Sequence, residues 1–375
     1  MHVGGVTRLT KSGLSMTDWK PLGSLPPITA EEWQIEFERY KNFPEFEQRK
    51  SMTVEEFQFI YYWEWGHRML GRFAGVCFAA PFAYFAVRRK IPKGYYPRMW
   101  TLFAMGGTQG LVGWWMVKSG LGEERRGDRK EIRVSPYRLA SHLSMAFATY
   151  SLLFWTGLDL LHPASRLKAV ASSLSKNAKL LRNARMLRTG SIGVTALTAL
   201  TAASGGFVAG NDAGRAFNTF PKMNDQWIPL SEMVDETLQP VYLNLFENTA
   251  TVQWNHRALA MSTAASVFGL AGVGILHPRF RQVLTPQAKR ALTAMGVTAA
   301  GQVTLGISTL LMYVPIPLAA AHQLGSLVLL SSGLYAVHSF RYVSPTVLRS
   351  LSGAKAVIGT GSARSGVALA AKAAR

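Results

Sequence analysis

A single cysteine, Cys77, is all the thiol chemistry this 375-residue chain has, and it lies inside an apolar run. No disulfide can form within the chain, and cysteine-rich zinc, iron–sulfur and c-type haem attachment motifs are excluded. A glycine-rich dinucleotide fingerprint and a phosphate loop are both missing, so neither route to a nucleotide is present. No secretory or transit signal is recognisable at the start.

Charge is scarce and its gaps are patterned. Charged residues make up 17% of the chain and hydrophobic residues 48%, too apolar a balance for a disordered protein. Met99–Val117, Leu139–Leu158, Thr189–Asn211 and Ala258–Leu276 carry no charge, and Met69–Val87 carries only Arg72. Ala291–Phe340 is also uncharged and is broken midway by Val314-Pro315-Ile316-Pro317. Runs of about 18 or more such residues are candidate membrane spans. Counted this way there are seven complete spans, and the fold class expected is an all-α integral membrane protein.

Acid is absent from the segments that follow spans one, three, five and seven. Arg88–Arg98, Arg166–Arg188, Arg279–Arg290 and Arg341–Arg375 together hold 22 Lys and Arg and no Asp or Glu. Acidic residues gather instead in Asp18–Glu64, Glu123–Glu131 and Asp212–Glu247, with Asp159 alone at the end of a span. The net charge of +20 therefore sits in blocks between spans, without the aromatic interleaving of a nucleic-acid surface, and no nucleic-acid partner is expected. The positive-inside rule places the basic segments and the C-terminus on the matrix or cytoplasmic side.

A long-period repeat organises the spans. Trp65-Gly66-His67-Arg68 returns as Trp254-Asn255-His256-Arg257, and Gln109 with Gly113 returns as Gln302 with Gly306. Leu139-Ala140-Ser141-His142 resembles Ala319-Ala320-Ala321-His322, and Gly4-Gly5 returns as Gly205-Gly206. Each second-half unit is a four-span set led by a helix ending in Gly-Gly, so Met1–Arg8 reads as the end of a leading span. The expected design is two tandem parallel-repeat four-helix bundles, four plus four, related by an axis along the membrane normal. The boundaries are 1–160 for the first half, 161–188 for a basic linker, 189–340 for the second half and 341–375 for a basic low-complexity tail.

Four of the eight histidines occupy repeated positions: His67, His142, His256 and His322. Each lies within about six residues of the outer end of its span, roughly 9 Å of depth. Ionisable groups within spans are costly and usually functional, and two imidazoles on facing helices can clamp a haem iron from both sides. One pair per half follows, His67 with His142 and His256 with His322. The plainer alternative is four polar groups bonded to backbone. His162, His277 and His338 sit at inner helix ends, where capping is the better reading.

The halves differ at one chemically informative place. Glu64 precedes His67 by three residues, and Gln253 stands at the matching position before His256. A carboxylate one turn from an iron ligand can move protons and a Gln cannot; the alternative is a charge favoured near a helix start. Arg68 and Arg257 suit haem propionates or snorkel to the interface. Thr10–Glu64, with Trp19, Pro21, Pro26, Pro27, Trp33, Phe37 and Tyr40, is long and apolar enough to fold over a site as a lid.

Several segments carry a family resemblance: Gly4–Met16, Asp18-Trp19-Lys20-Pro21, Glu64–Arg68 and Gly110–Leu121 resemble haem A synthase. The likeness runs from about Val3 to Phe340 and favours the mitochondrial and alphaproteobacterial branch. Some bacterial members carry a cysteine pair in the first outer loop, and this chain has none. The leading transmembrane helix of the family is not present in the chain as written. The resemblance implies an oxidoreductase that converts a ring methyl of haem O to a formyl group through a hydroxymethyl intermediate, for cytochrome oxidase. It implies that His67 and His142 flank the substrate haem, that His256 and His322 ligate a resident haem b, and that Glu64 is the essential carboxylate. The partners it implies are haem O, membrane lipid, an external electron-transfer protein, haem O synthase and oxidase assembly proteins, in the mitochondrial inner membrane. A dihaem electron-transfer cytochrome would use the same four histidines without catalysis, and a transporter with parallel repeats is a weaker reading.

Overall fold

The computed structural model describes residues 1–16, 20, 22–121, 133–162, 167–349 and 351. Trp19, Pro21, the acidic run Glu123–Glu131 and the tail from 352 lie outside the described residues. Among those described the chain is helical, with one isolated bridge between Met223 and Gln226 and no named strand. The helices are α1 His2–Leu9, α2 Ala30–Lys41, α3 Pro44–Glu47, α4 Val54–Val87, α5 Tyr96–Leu121, α6 Pro136–Leu161 and α7 Leu167–Ser175. They continue as α8 Ala178–Gly210, α9 Asn244–Glu247, α10 Thr249–Leu276, α11 Pro278–Arg281, α12 Pro286–Leu311 and α13 Ile316–Ser339.

Five of these, α4, α8, α10, α12 and α13, are long and apolar enough to cross a membrane. That differs from the seven expected from charge gaps alone. The other two candidates, α5 and α6, are continuous helices of 26 residues each. Uncharged is not the same as apolar: Gly106, Gly107, Thr108, Gln109 and Gly110 dilute α5, as Ser141, His142, Ser144 and Thr149 dilute α6. Large apolar side chains nonetheless point outward along the span helices, Phe73 at 65% exposure and Val76 at 63% among them. Such a surface suits lipid and not water. The chain is an all-α, multi-pass membrane protein.

Two helices outrun the expected spans. α4 has 34 residues, about 51 Å at 1.5 Å per residue against a hydrocarbon core of about 30 Å. Its start is set by Thr53, whose side chain accepts from Glu56 N while Glu56 reaches back to the Thr53 N–H. Glu55 and Glu56 therefore occupy the dipole-favoured first turn, and Glu64 lies almost three turns further in. The helix-start explanation for Glu64 is thereby removed. α8, with 33 residues, begins within the segment read as a linker.

The described chain forms two compact units that cut across the sequence halves. One comprises Met1–Leu153, Thr198–Ser262 and Ala300–Val328 and contains all four repeated histidines. In it, α2 and the extension of α4 share a core of Met16, Trp33, Phe37, Tyr40, Phe57, Ile60 and Tyr61. Trp33 meets Tyr61 edge-on at 5.2 Å, and Phe37 lies 5.2 Å from Phe57. Trp65 Nε1 donates to Ser24 O at 2.7 Å and Arg72 to Lys20 O at 2.6 Å, so this loop runs along α4 and is packed there. Arg8 of α1 donates to Ala209 O at 2.7 Å and to Asp212 at 3.1 Å, tying α1 to the end of α8. Val314, between α12 and α13, has φ of +59°, rare for a β-branched residue, and its N–H closes on Thr309 O at 2.8 Å.

The other unit comprises Phe154–Leu197, Thr263–Ala299 and Leu329–Arg375. Its core includes Leu187, Val267, Leu292, Met295, Ala336 and Phe340. His277 starts α11, accepting from Arg279 N, so it caps as expected, though the helix it caps is the one that follows it. His338 does not cap. Its ring lies edge-on to Trp155 at 5.1 Å, and its Nε2 is 3.2 Å from Asp159 Oδ1. Arg341 pairs with the same carboxylate and also donates to His162 O. The lone acid at the end of α6 explains the departure, because a buried imidazole gains more from a carboxylate than from a carbonyl.

Candidate functional site

The four histidines stand on α4, α6, α10 and α13. His67 and His142 are close enough to interact electrostatically, and so are His256 and His322. The pairing falls within halves, as the repeat requires.

Each ring rests against a glycine. A Cβ on Gly4 would come 2.8 Å from His67 Nε2, and one on Gly205 would come 3.4 Å from His256 Cε1. A Cβ on Gly113 would meet His142 Cε1 at 3.0 Å, and one on Gly306 would meet His322 Cε1 at 2.8 Å. The repeated glycines thus supply the space in which the rings sit. Gly206 lies against Ala140 and Leu143, while Gly5 lies against Gln323, the repeat partner of Leu143. Each Gly-Gly helix therefore rests on the histidine-bearing helix of the opposite half.

The two halves share a glutamine that holds one histidine's backbone. Gln109 Nε2 donates to His142 O at 3.0 Å, and Gln302 Nε2 donates to His322 O at 3.0 Å. In both, the amide Oε1 is buried without a hydrogen-bond partner among the described residues. His322 Nδ1 is likewise unpaired. Buried polar atoms left open in this way are costly in a finished core.

Ser204, which sequence reasoning passed over, decides one tautomer. Its hydroxyl donates to Thr201 O at 2.7 Å and lies 2.7 Å from His256 Nδ1. A hydroxyl has one hydrogen, so it accepts from Nδ1–H, and His256 Nε2 keeps its lone pair for a metal. The matching position in the first half is Val3. There the Gln109 amide, already donating to His142 O, also lies 3.2 Å from His142 Nδ1. Donation to Nδ1 places the ring hydrogen on Nε2, the opposite tautomer. The adjacency of Ser204 to the Gly-Gly repeat was the available signal.

Glu64 is 2% exposed and fully engaged. Ser15 Oγ donates to its Oε2 at 2.7 Å and Met16 N at 2.8 Å, and Arg68 donates to Oε1 at 2.6 Å. Arg68 also donates to Met16 O at 2.6 Å, closing a ring around the Ser12–Met16 segment. Neither Ser15 nor Met16 was legible as a partner, since they lie almost fifty residues upstream. In the second half Gln253 is 3% exposed and donates to Ala213 O at 2.6 Å. Arg257 donates to Phe217 O at 2.7 Å and Lys222 O at 3.2 Å. It grips a loop where Arg68 grips a carboxylate.

Among the described residues no three His, Cys, Asp or Glu converge as ligands for a bare ion. A haem needs only two side-chain ligands, because the porphyrin supplies four nitrogens. Paired imidazoles, each seated against a glycine where a Cβ would come within 3.4 Å of the ring, fit that group.

Comparison with known proteins identifies the family. The profile of the COX15-CtaA family, described as cytochrome oxidase assembly protein, matches residues 1–334. The protein named heme A synthase COX15 of Arabidopsis thaliana is 48% identical over 352 residues, covering 93% of this chain and 73% of the relative. Its namesake in Bos taurus is 44% identical over 345 residues, covering 91% and 78%. A heme A synthase-mitochondrial ferredoxin fusion protein of Schizosaccharomyces pombe is 41% identical over 347 residues, covering 88% of this chain and 56% of the relative. The chain therefore belongs to the COX15-CtaA family, the family of the haem A synthases.

Proposed function

We propose that this protein is a haem A synthase, a membrane oxidoreductase acting in haem A biosynthesis for cytochrome oxidase. Its substrate is haem O, and the reaction oxidises one ring methyl to a formyl group through a hydroxymethyl intermediate. The observation that carries this reading is the unequal pair of histidine sites, one with a buried carboxylate and one without. His67 and His142 bind and orient the substrate haem in the first four-helix bundle. His256 and His322 hold the resident haem b in the second, which supplies a one-electron redox centre when bound.

Glu64 lies on α4 one turn from His67, so both side chains share a face of that helix. Its carboxylate accepts from Ser15 and Arg68, which keeps a charged acceptor fixed beside the ligand. Turning the methyl into a formyl group adds one oxygen atom, as from water, gives up four electrons to an external acceptor and releases four protons; Glu64 would take up such a proton, with Ser15 as the adjoining hydroxyl. Arg68 holds Glu64 and the Ser12–Met16 segment together, and Glu64 is left 2% exposed there. In this reading the basic segments face the matrix of mitochondria, with the C-terminus there and the histidines near the opposite face of the inner membrane. The ferredoxin fusion in fission yeast supports an external electron-transfer protein of that class as partner.

Pigment analysis of the purified protein tests the reading. Haem b together with haem O, its hydroxymethyl form or haem A is the expected content. Two equivalents of haem b with no oxidised product would favour the non-catalytic dihaem carrier.

A further inference from the structure

The unit made of Phe154–Leu197, Thr263–Ala299 and Leu329–Arg375 has an imbalance that the chemistry above leaves unused. Its sequence holds seventeen Lys and Arg and one acid, Asp159. That acid is already occupied by Arg341 and His338. No other side-chain carboxylate of the unit remains for any other cation. Three of these cations, Arg185, Arg188 and Arg349, line one cavity of about 480 Å³, together with Thr189, Val343 and Leu348. Arg188 Nε is buried there without a hydrogen-bond partner among the described residues. Three guanidinium groups around one space repel one another until an anion enters it.

The position narrows the anion. Arg188 is the last charge before the uncharged run of α8, and Arg349 follows closely on the uncharged run of α13. The cavity therefore lies at the level where apolar span gives way to the basic side. Its walls combine guanidinium and hydroxyl donors with the aliphatic faces of Val343 and Leu348. A free inorganic ion has no use for such aliphatic walls, whereas a lipid has a phosphate to place on the arginines and a glycerol and acyl stem to place on the valine and leucine. Basic pockets at this depth on the inner side of membrane proteins suit anionic headgroups.

We propose that Arg185, Arg188 and Arg349 form a binding site for the phosphate of an anionic phospholipid. The site is distinct from the histidine pairs and independent of the reaction assigned to them. The test is native mass spectrometry of the full chain released from nanodiscs of phosphatidylcholine, with cardiolipin or phosphatidylglycerol added in separate arms and inorganic phosphate in a fourth. The wild type should retain the anionic lipids and not phosphatidylcholine. Arg185→Gln/Arg188→Gln/Arg349→Gln should lower that retention about a hundredfold, at roughly a factor of five per lost charge contact. The corresponding lysine triple variant should keep most of it. These arginines make no internal ion pair among the described residues, so the haem spectrum and the unfolding midpoint in phosphatidylcholine should not move; Arg188→Gln alone serves if the triple variant is unstable. Equal retention by wild type and glutamine variants overturns the site. Binding of inorganic phosphate as tight as that of the lipids overturns the lipid assignment.

Discussion

The first-half and second-half histidine sites are built from one pattern and part at three places. Where the second half has Ser204 setting the tautomer of His256, the first half has Val3. Where Gln302 reaches only the carbonyl of His322, Gln109 also reaches the ring of His142. Where Gln253 and Arg257 bind backbone, Glu64 and Arg68 bind each other. In the proposed function the second site would be preset for a permanent ligand and is stitched to its loop, while the first would have to shift a hydrogen bond to take iron and has a carboxylate beside it, which suits a substrate that is processed and let go.

Ligand removal should separate the halves most strongly. His256→Ala should abolish resident haem b and lower stability, because the second bundle then lacks its cofactor as well as a side chain. His67→Ala should leave haem b in place and remove haem O and its products. Pigment extraction of both variants checks this, and equal loss of haem b from both would merge the two sites.

A smaller effect should come from Ser204. Ser204→Ala removes the group that orients His256, and changes of that kind cost about 10- to 100-fold in metal-site affinity. Haem b should therefore be stripped by a competing apo-protein that much faster, while Val3→Ser in the first half should slow loss of the substrate haem. No change in either release rate would reduce the Ser204–Val3 difference to packing.

The smallest effect concerns pH and belongs to the first half alone. Glu45, buried beside Tyr40, is pushed up to about 7 by burial, and the charge of Glu64 adds to the rise while Arg49 opposes it. In the second half's loop, Asp235 is held below the usual carboxylate range by bonds from Thr237. A raised folded value means that the protonated form stabilises the packed loop. That stabilisation is intact below about pH 4.5 and is lost as pH rises through about 7, on the order of 1–3 kcal/mol. Hydrogen exchange over α2, corrected for its intrinsic pH dependence, should quicken between about pH 4.5 and 7 and level off above, and Glu45→Gln should flatten the response.

Much of this was legible because the repeat is written in residues with few substitutes. Histidines at equal depth, with a repeated glycine for each and a repeated glutamine for His142 and His322, mark both candidate sites in the sequence. The contacts that distinguish the sites were not legible for a physical reason. Ser15 and Met16 reach Glu64 through a loop whose course is set by packing of Trp33, Phe37 and Tyr40 on the extended α4, and no local pattern encodes that distance. The extent of α4 was missed because a charge-based count stops at Arg68 and Glu64, whereas the helix is set by its Thr53–Glu56 cap. His338 was misread because its partner Asp159 lies 179 residues away.

The division of labour between the halves rests on Glu64, and Glu64→Gln tests it most directly. The substitution copies Gln253, keeps the side chain's shape and leaves both histidine pairs intact. Haem b should remain bound through His256 and His322, while haem A formed per haem O supplied falls by about 100-fold or more, the scale of lost acid–base catalysis. If Glu64→Gln protein with its normal haem b converts haem O at the parental rate, the first site is not distinguished by its carboxylate and the account of the asymmetry is wrong.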